Sequence, residues 1–122
     1  MKVETITEKG STIAVVTSEQ AVITDERSAL DLMMSVKYET GAEKIVLNKE
    51  ALTEDFFILS TGLAGKILQK FVSYHLAFAV YGDFTRYTSK PLRDFIYESN
   101  NGRDVFFAAT REEAVRRMTN SR

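Results

Sequence analysis

The sequence contains no cysteine. That removes disulfides, thiol catalysis and thiolate metal sites together, and it fits a reducing cytoplasm. Histidine is almost as scarce: His75 stands alone, so a zinc site would have to be completed by carboxylates. Charge of one sign is lacking too. Sixteen Lys and Arg face seventeen Asp and Glu, for a net charge of −1, which gives no electrostatic case for nucleic acid or an anionic membrane as partner. No apolar run approaches the roughly 20 residues a membrane helix needs; the longest, "LAFAVY", is strand-sized. The opening "MKVETITEKG" mixes polar and apolar residues at period two, unlike a signal peptide. Repeats, low-complexity tracts and linkers are missing, so residues 1–122 read as one domain. The expectation is a cytoplasmic α/β protein without cofactor or metal, whose partner is another protein or a second copy of itself.

What is present is an alternation of strand and helix patterns. "KVETIT" alternates, "EKGS" turns, and "TIAVV" reads as a second strand. After a brief extended segment at Ala21–Ile23, Thr24 or Asp25 caps a helix carrying Ala29, Leu30, Met33 and Met34, stopped by Gly41. "EKIVLN" is a short buried strand, and Lys49–Leu52 reads as a linker. A helix-bearing segment, Thr53–Tyr74, precedes "LAFAVYGDF", whose continuous apolar character suits a strand covered on both faces. Ser89 caps a helix with Pro91 in its first turn. "DVFFAA" is the last strand, and Thr110, three residues before Glu113, opens the last helix with capping-box spacing. The predicted order is β-β-α-β-α-β-α-β-α, with a mostly parallel sheet.

The run "STGLAGKILQK", Ser60 to Lys70, invites a phosphate-loop reading. A Walker A loop needs Gly, four residues, then Gly-Lys-Ser/Thr. Here Ser60 occupies the first glycine's place and Ile67 follows Lys66, so the reading fails. The spacing predicts instead a helix with Leu63, Ile67, Leu68, Phe71 and Val72 on one apolar face. Ser60 or Thr61 would be its N-cap, and Gly62 and Gly65 would let its first turn approach another backbone closely. The functional counterpart is a hydroxyl offered at a helix N-terminus, where a phosphate would meet free amides and the positive end of the dipole.

"GDFTRYTSK" is the other chemically interesting stretch. Ligands of open parallel sheets gather at the carboxyl ends of strands. There Gly82 and Asp83 are followed by Arg86, Ser89, Lys90 and Arg93, which would make an anion site if they converge. The bland alternative is a solvated loop whose Asp83 caps its own turn. His75, at the handover from helix to strand, reads as a C-terminal capping cation. Asp25-Glu26, Glu54-Asp55 and Glu112-Glu113 fall in helix first turns, where the dipole accounts for them. In the pairs Phe56-Phe57 and Phe106-Phe107, one ring of each is expected to reach a neighbouring helix or a second subunit.

The segments "FFILSTGLAGKILQKF", "GDFTRYTSKPLRDFIYESN" and "VFFAATREEAV" resemble an uncharacterised bacterial family marked by FFxLxTGLAGxILQKF, GDF and LRDFIxESN blocks. The element order is also similar to the STAS domain of anti-sigma-factor antagonists, the SpoIIAA-like proteins. That resemblance implies a non-enzymatic regulatory module with a phosphorylatable hydroxyl before a Gly-Leu pair. On Leu59-Ser60-Thr61-Gly62-Leu63 it implies Thr61, with Ser60 beside it, although Leu59 stands where the motif has Asp. The competing expectation is a small ligand-binding protein or enzyme for an anionic substrate at the strand ends.

Overall fold

The computed structural model describes residues 1–121. Five strands, β1 (Lys2–Glu8), β2 (Ser11–Thr17), β3 (Lys44–Asn48), β4 (Ala77–Tyr81) and β5 (Val105–Ala108), form one sheet in sequential order. β1 and β2 are an antiparallel hairpin, and every later pairing is parallel. Helices α1 (Glu26–Thr40), α2 (Leu63–Ser73) and α3 (Lys90–Asn100) link the parallel strands, and α4 (Arg111–Asn120) follows β5.

Sequential order decides where the helices go. Each right-handed crossover steps to the next strand in the same direction, so all three connecting helices land on one face. The alternating side chains of the strands record this. Ala14, Val16, Ile45, Leu47, Phe78, Val80 and Phe107 pack with Met33, Ile67, Phe71 and Leu92 from the helices. Their alternates Ile13, Val15, Val46, Ala79 and Phe106 pack against Ala114 and Met118 of α4. With both faces covered, adjacent phenylalanines on β5 are both buried, one in each core. Phe56 and Phe57 are buried as well, in a 3₁₀ turn whose geometry turns both rings inward. Neither pair is left to anchor a second subunit.

Short-range chemistry sets most helix ends. Asp25 is the α1 N-cap and forms a reciprocal capping box with Ser28, and Gly41 ends the helix at φ 74°. Ser89 caps α3 and Thr110 caps α4 through the amide of Glu113. α2 departs from expectation. Ser60 and Thr61 belong to a 3₁₀ turn, Leu59–Thr61, and the N-cap is Gly62 at φ 78°. A left-handed backbone closes the 3₁₀ turn and opens the helix at one residue, which is why glycine is needed there. Gly65 packs against nothing: a Cβ there would have no neighbour within 4 Å. Val72 is exposed, so the buried stripe of α2 is Ala64, Ile67 and Phe71. The supposed linker Lys49–Leu52 is also ordered, as a 3₁₀ turn, Lys49–Ala51, whose Leu52 bridges to Ile23.

His75 ends α2 in a different way from simple charge capping. Its backbone is left-handed, φ 59°, with its amide on Val72 O (3.1 Å) and the amide of Leu76 on Phe71 O (2.8 Å). That pair of bonds is a Schellman motif, and Leu76 and Phe71 are both buried.

Candidate functional site

The carboxyl ends of the four parallel strands meet the turns that follow them, and the polar side chains there form two layers. The inner layer is structural. Asn48, the last residue of β3, accepts from the Ser18 amide (2.9 Å) and donates to Ser18 O (2.7 Å), splicing the ends of β2 and β3. Its amide also reaches Glu50 (3.1 Å).

Lys49 comes next and is 7% exposed. Its stem lies against Gly82, where a Cβ would sit 2.7 Å from the lysine Cβ. Only glycine permits that approach. The ammonium lies 5.0 Å from the centre of the Tyr87 ring, and its charge acts on Asp83. The stem is thus buried and the charged tip is held by an aromatic face.

The outer layer is organised by Tyr87. Its ring stacks on Phe57 (centroids 5.2 Å) and takes the Arg86 guanidinium at 5.6 Å. Its hydroxyl donates to the Glu54 carboxylate, both oxygens lying at 3.0 Å, and Arg86 pairs with the same carboxylate at 3.8 Å. Burial, with Glu54 beside it, pushes the Tyr87 hydroxyl up to about 12. Asp83 takes the hydroxyl and the amide (2.9 Å) of Thr85 on one oxygen. Those two bonds hold its carboxyl below the usual range, helped by the charges of Lys49 and Arg86.

A cleft of about 440 Å³ opens beside this layer, lined by Glu54, Ile58, Ser60, Arg86, Tyr87 and Ser89 among others. Ser60, Arg86 and Ser89 therefore share one cleft. Gly82 and Asp83 border a separate depression with Phe84, Thr85 and Phe107. Lys90 points along its own helix to Asp94 (2.7 Å), and Arg93 is exposed and lines neither hollow. The expected basic residues do not converge on one point.

The two hydroxyls of the 3₁₀ turn also differ. Thr61 Oγ1 lies 2.8 Å from Ile58 O and 2.9 Å from Asp55 O, and accepts from the Leu63 amide at 3.2 Å. It holds the turn together. Ser60 is exposed and faces the cleft. Lys49, and the site role of Glu54, are what reading the sequence missed. A lysine opening an apparent linker carries no local sign that its stem is buried, since the burial depends on Gly82 far along the chain.

The model of a family described as a domain of unknown function, DUF4180, matches residues 8–118. The chain belongs to the DUF4180 family. No curated protein and no solved structure matches it. The DUF4180 match spans the whole of this surface, from Ser18 through Asn48 and the Ser60 turn to Arg93.

Proposed function

We propose that the protein is a non-enzymatic, STAS-like interaction module that meets a protein partner through the carboxyl end of its sheet. The observation that carries this reading is the lip of the cleft. The turn from Ile58 to Gly62 presents a large aliphatic side chain, Ile58, 51% exposed, beside the free Ser60 hydroxyl. Facing them are the flat Tyr87 ring, Pro91 and the Arg86–Glu54 pair. An apolar anchor ringed by polar and mixed-charge groups is the composition of a protein interface. Local charge supports the same choice over a small anion, since Lys49 and Arg86 stand among Glu50, Glu54 and Asp83.

Regulation by phosphate, if the module uses it, falls on Ser60 before Thr61. Ser60 is exposed and makes no side-chain bond among the described residues, whereas modifying Thr61 would release the turn it ties. Site-specific photo-crosslinking in the native cell tests the interaction surface. A crosslinker at Ile58 or Ser60 is expected to trap a partner, and one at Glu43, at the opposite end of the sheet, to trap none. Adducts from Glu43 alone, or none from either cleft position, would remove the reading. Mass spectrometry of the native protein separates phosphate on Ser60 from phosphate on Thr61.

One observation favours a second reading, an anionic ligand at the strand ends. It is the Lys49 ammonium, held against the Tyr87 ring at the strand ends. Phosphate titrated into the labelled protein would then shift the amides of Lys49 and Gly82, and Lys49→Met would abolish the shifts while Lys90→Met would not.

A further inference from the structure

The two edges of the sheet are finished differently. β5 has only four residues, and α3 covers its outer side: the Phe107 amide donates to Asn100 Oδ1 (2.7 Å), and Asn100 Nδ2 donates to Phe107 O (3.2 Å). Both outward groups of that edge residue are taken. β1 has seven residues, no proline and no bulge, and among the described residues its only strand neighbour is β2. A long, regular, uncovered edge is a template for another strand.

The hairpin fixes which groups of β1 are free. Lys9 (φ 51°) and Gly10 (φ 78°) make a two-residue turn of the mirror-image type, so the closing pair Glu8–Ser11 exchanges both its backbone bonds. Counting back by twos, Ile6, Glu4 and Lys2 direct their backbone groups at β2. Val3, Thr5 and Thr7 direct theirs outward. The close approach of the Thr7 and Thr12 hydroxyls (3.4 Å) fits this alternation, since non-bonded pairs bring side chains nearer.

We infer that two copies of this chain pair through β1, antiparallel, about a two-fold axis at Thr5. That register sets Thr5 opposite Thr5 of the second copy and Val3 opposite Thr7, which are the positions with free backbone groups, so each can exchange both bonds. It also sets Lys2 opposite Glu8, twice by symmetry. Sliding the axis to Glu4 or Ile6 still sets free backbone groups against free ones, but it brings Glu4 against Glu4 or Glu4 against Glu8 and leaves one end of each seven-residue strand unpaired. Charge, and pairing along the whole of Lys2–Glu8, thus favour the axis at Thr5. On the α4 side, Ile6 and Val115 line a groove of about 500 Å³ beside β1. In the pair, Ile6 of the second copy lies diagonally across from Ile6, within reach of side-chain contact. The product is one continuous ten-stranded sheet with its blunted β5 edges outermost.

Sedimentation equilibrium on the full chain at low salt tests this, with the expected species a dimer. Thr5→Pro removes an outward amide and no bond to β2, so it should leave a folded monomer by circular dichroism. Lys2→Glu and Glu8→Lys, both at exposed positions, should each weaken association about tenfold, from two cross-strand pairs turned repulsive. Mixing those two variants in equal amounts should restore it, because every charged pair across the joint is again opposite in sign. A wild-type monomer at all concentrations would overturn the inference. So would a dimer that both charge variants leave unchanged, or a mixture no tighter than its components.

Discussion

Lys44 opens β3 and Lys49 follows its last residue, and the two are buried alike, 8% and 7% exposed. At the amino end Lys44 donates to Met118 O (2.7 Å), Ser121 O (2.7 Å) and Ser11 Oγ (3.3 Å). Its charge sits on the last carbonyls of α4, where the helix dipole favours a cation, although burial pushes its ammonium below the ordinary lysine value. At the carboxyl end the Lys49 ammonium lies against a tyrosine face. One lysine fastens a helix to the sheet. The other is held by its stem and an aromatic face, with its tip left to solvent. The first arrangement serves the fold, and the second is consistent with the proposal that the carboxyl end meets a partner.

Substitutions can break that contrast, beginning with the largest. Lys44→Met leaves carbonyls of the last turn of α4 without their donor, and should cost about 2 kcal/mol in urea unfolding. Gly82→Ala drives a methyl into the Lys49 stem and should cost about 1–3 kcal/mol, less in a Lys49→Gly background where the opposing Cβ is gone. His75→Gly, at the amino end, relieves a left-handed side chain and should raise stability by about 0.5 kcal/mol, the strain removed exceeding the added chain entropy. The smallest effect is a pH dependence at the carboxyl end. The folded state favours the neutral Tyr87 phenol, so its contribution is whole below pH 10 and is lost as pH rises through about 12. Ultraviolet titration should show that late component, and Glu54→Gln should draw it to lower pH.

The sequence announced those parts of the fold that are set locally. Asp25, Ser89 and Thr110 are caps because their side chains reach amides within one turn, and Gly41 stops α1 for an equally local reason. The α/β class and the mostly parallel sheet followed from the alternation of patterns. The start of α2 is not legible in the sequence because three successive 3₁₀ turns precede it, an arrangement that leaves no periodic signal. His75 concealed its left-handed backbone because that conformation ordinarily belongs to glycine or asparagine. At the carboxyl end, Arg86, Ser89 and Ser60 could be named as chemically capable residues. Their separation from Lys90 and Arg93, and the burial of Lys49, depend on contacts between distant segments.

The comparison of the two lysines is most directly tested by placing Lys49→Met beside Lys44→Met in one urea series. Methionine keeps the stem of Lys49 packed on Gly82 and removes only the ammonium and its contact with Tyr87, a loss of about 0.5–1 kcal/mol at most. The account predicts that Lys49→Met unfolds within about 1 kcal/mol of the unaltered chain while Lys44→Met loses clearly more. Equal losses, or a larger one at Lys49, would mean that the carboxyl-end lysine also serves the fold, and would contradict the assignment of that end to binding.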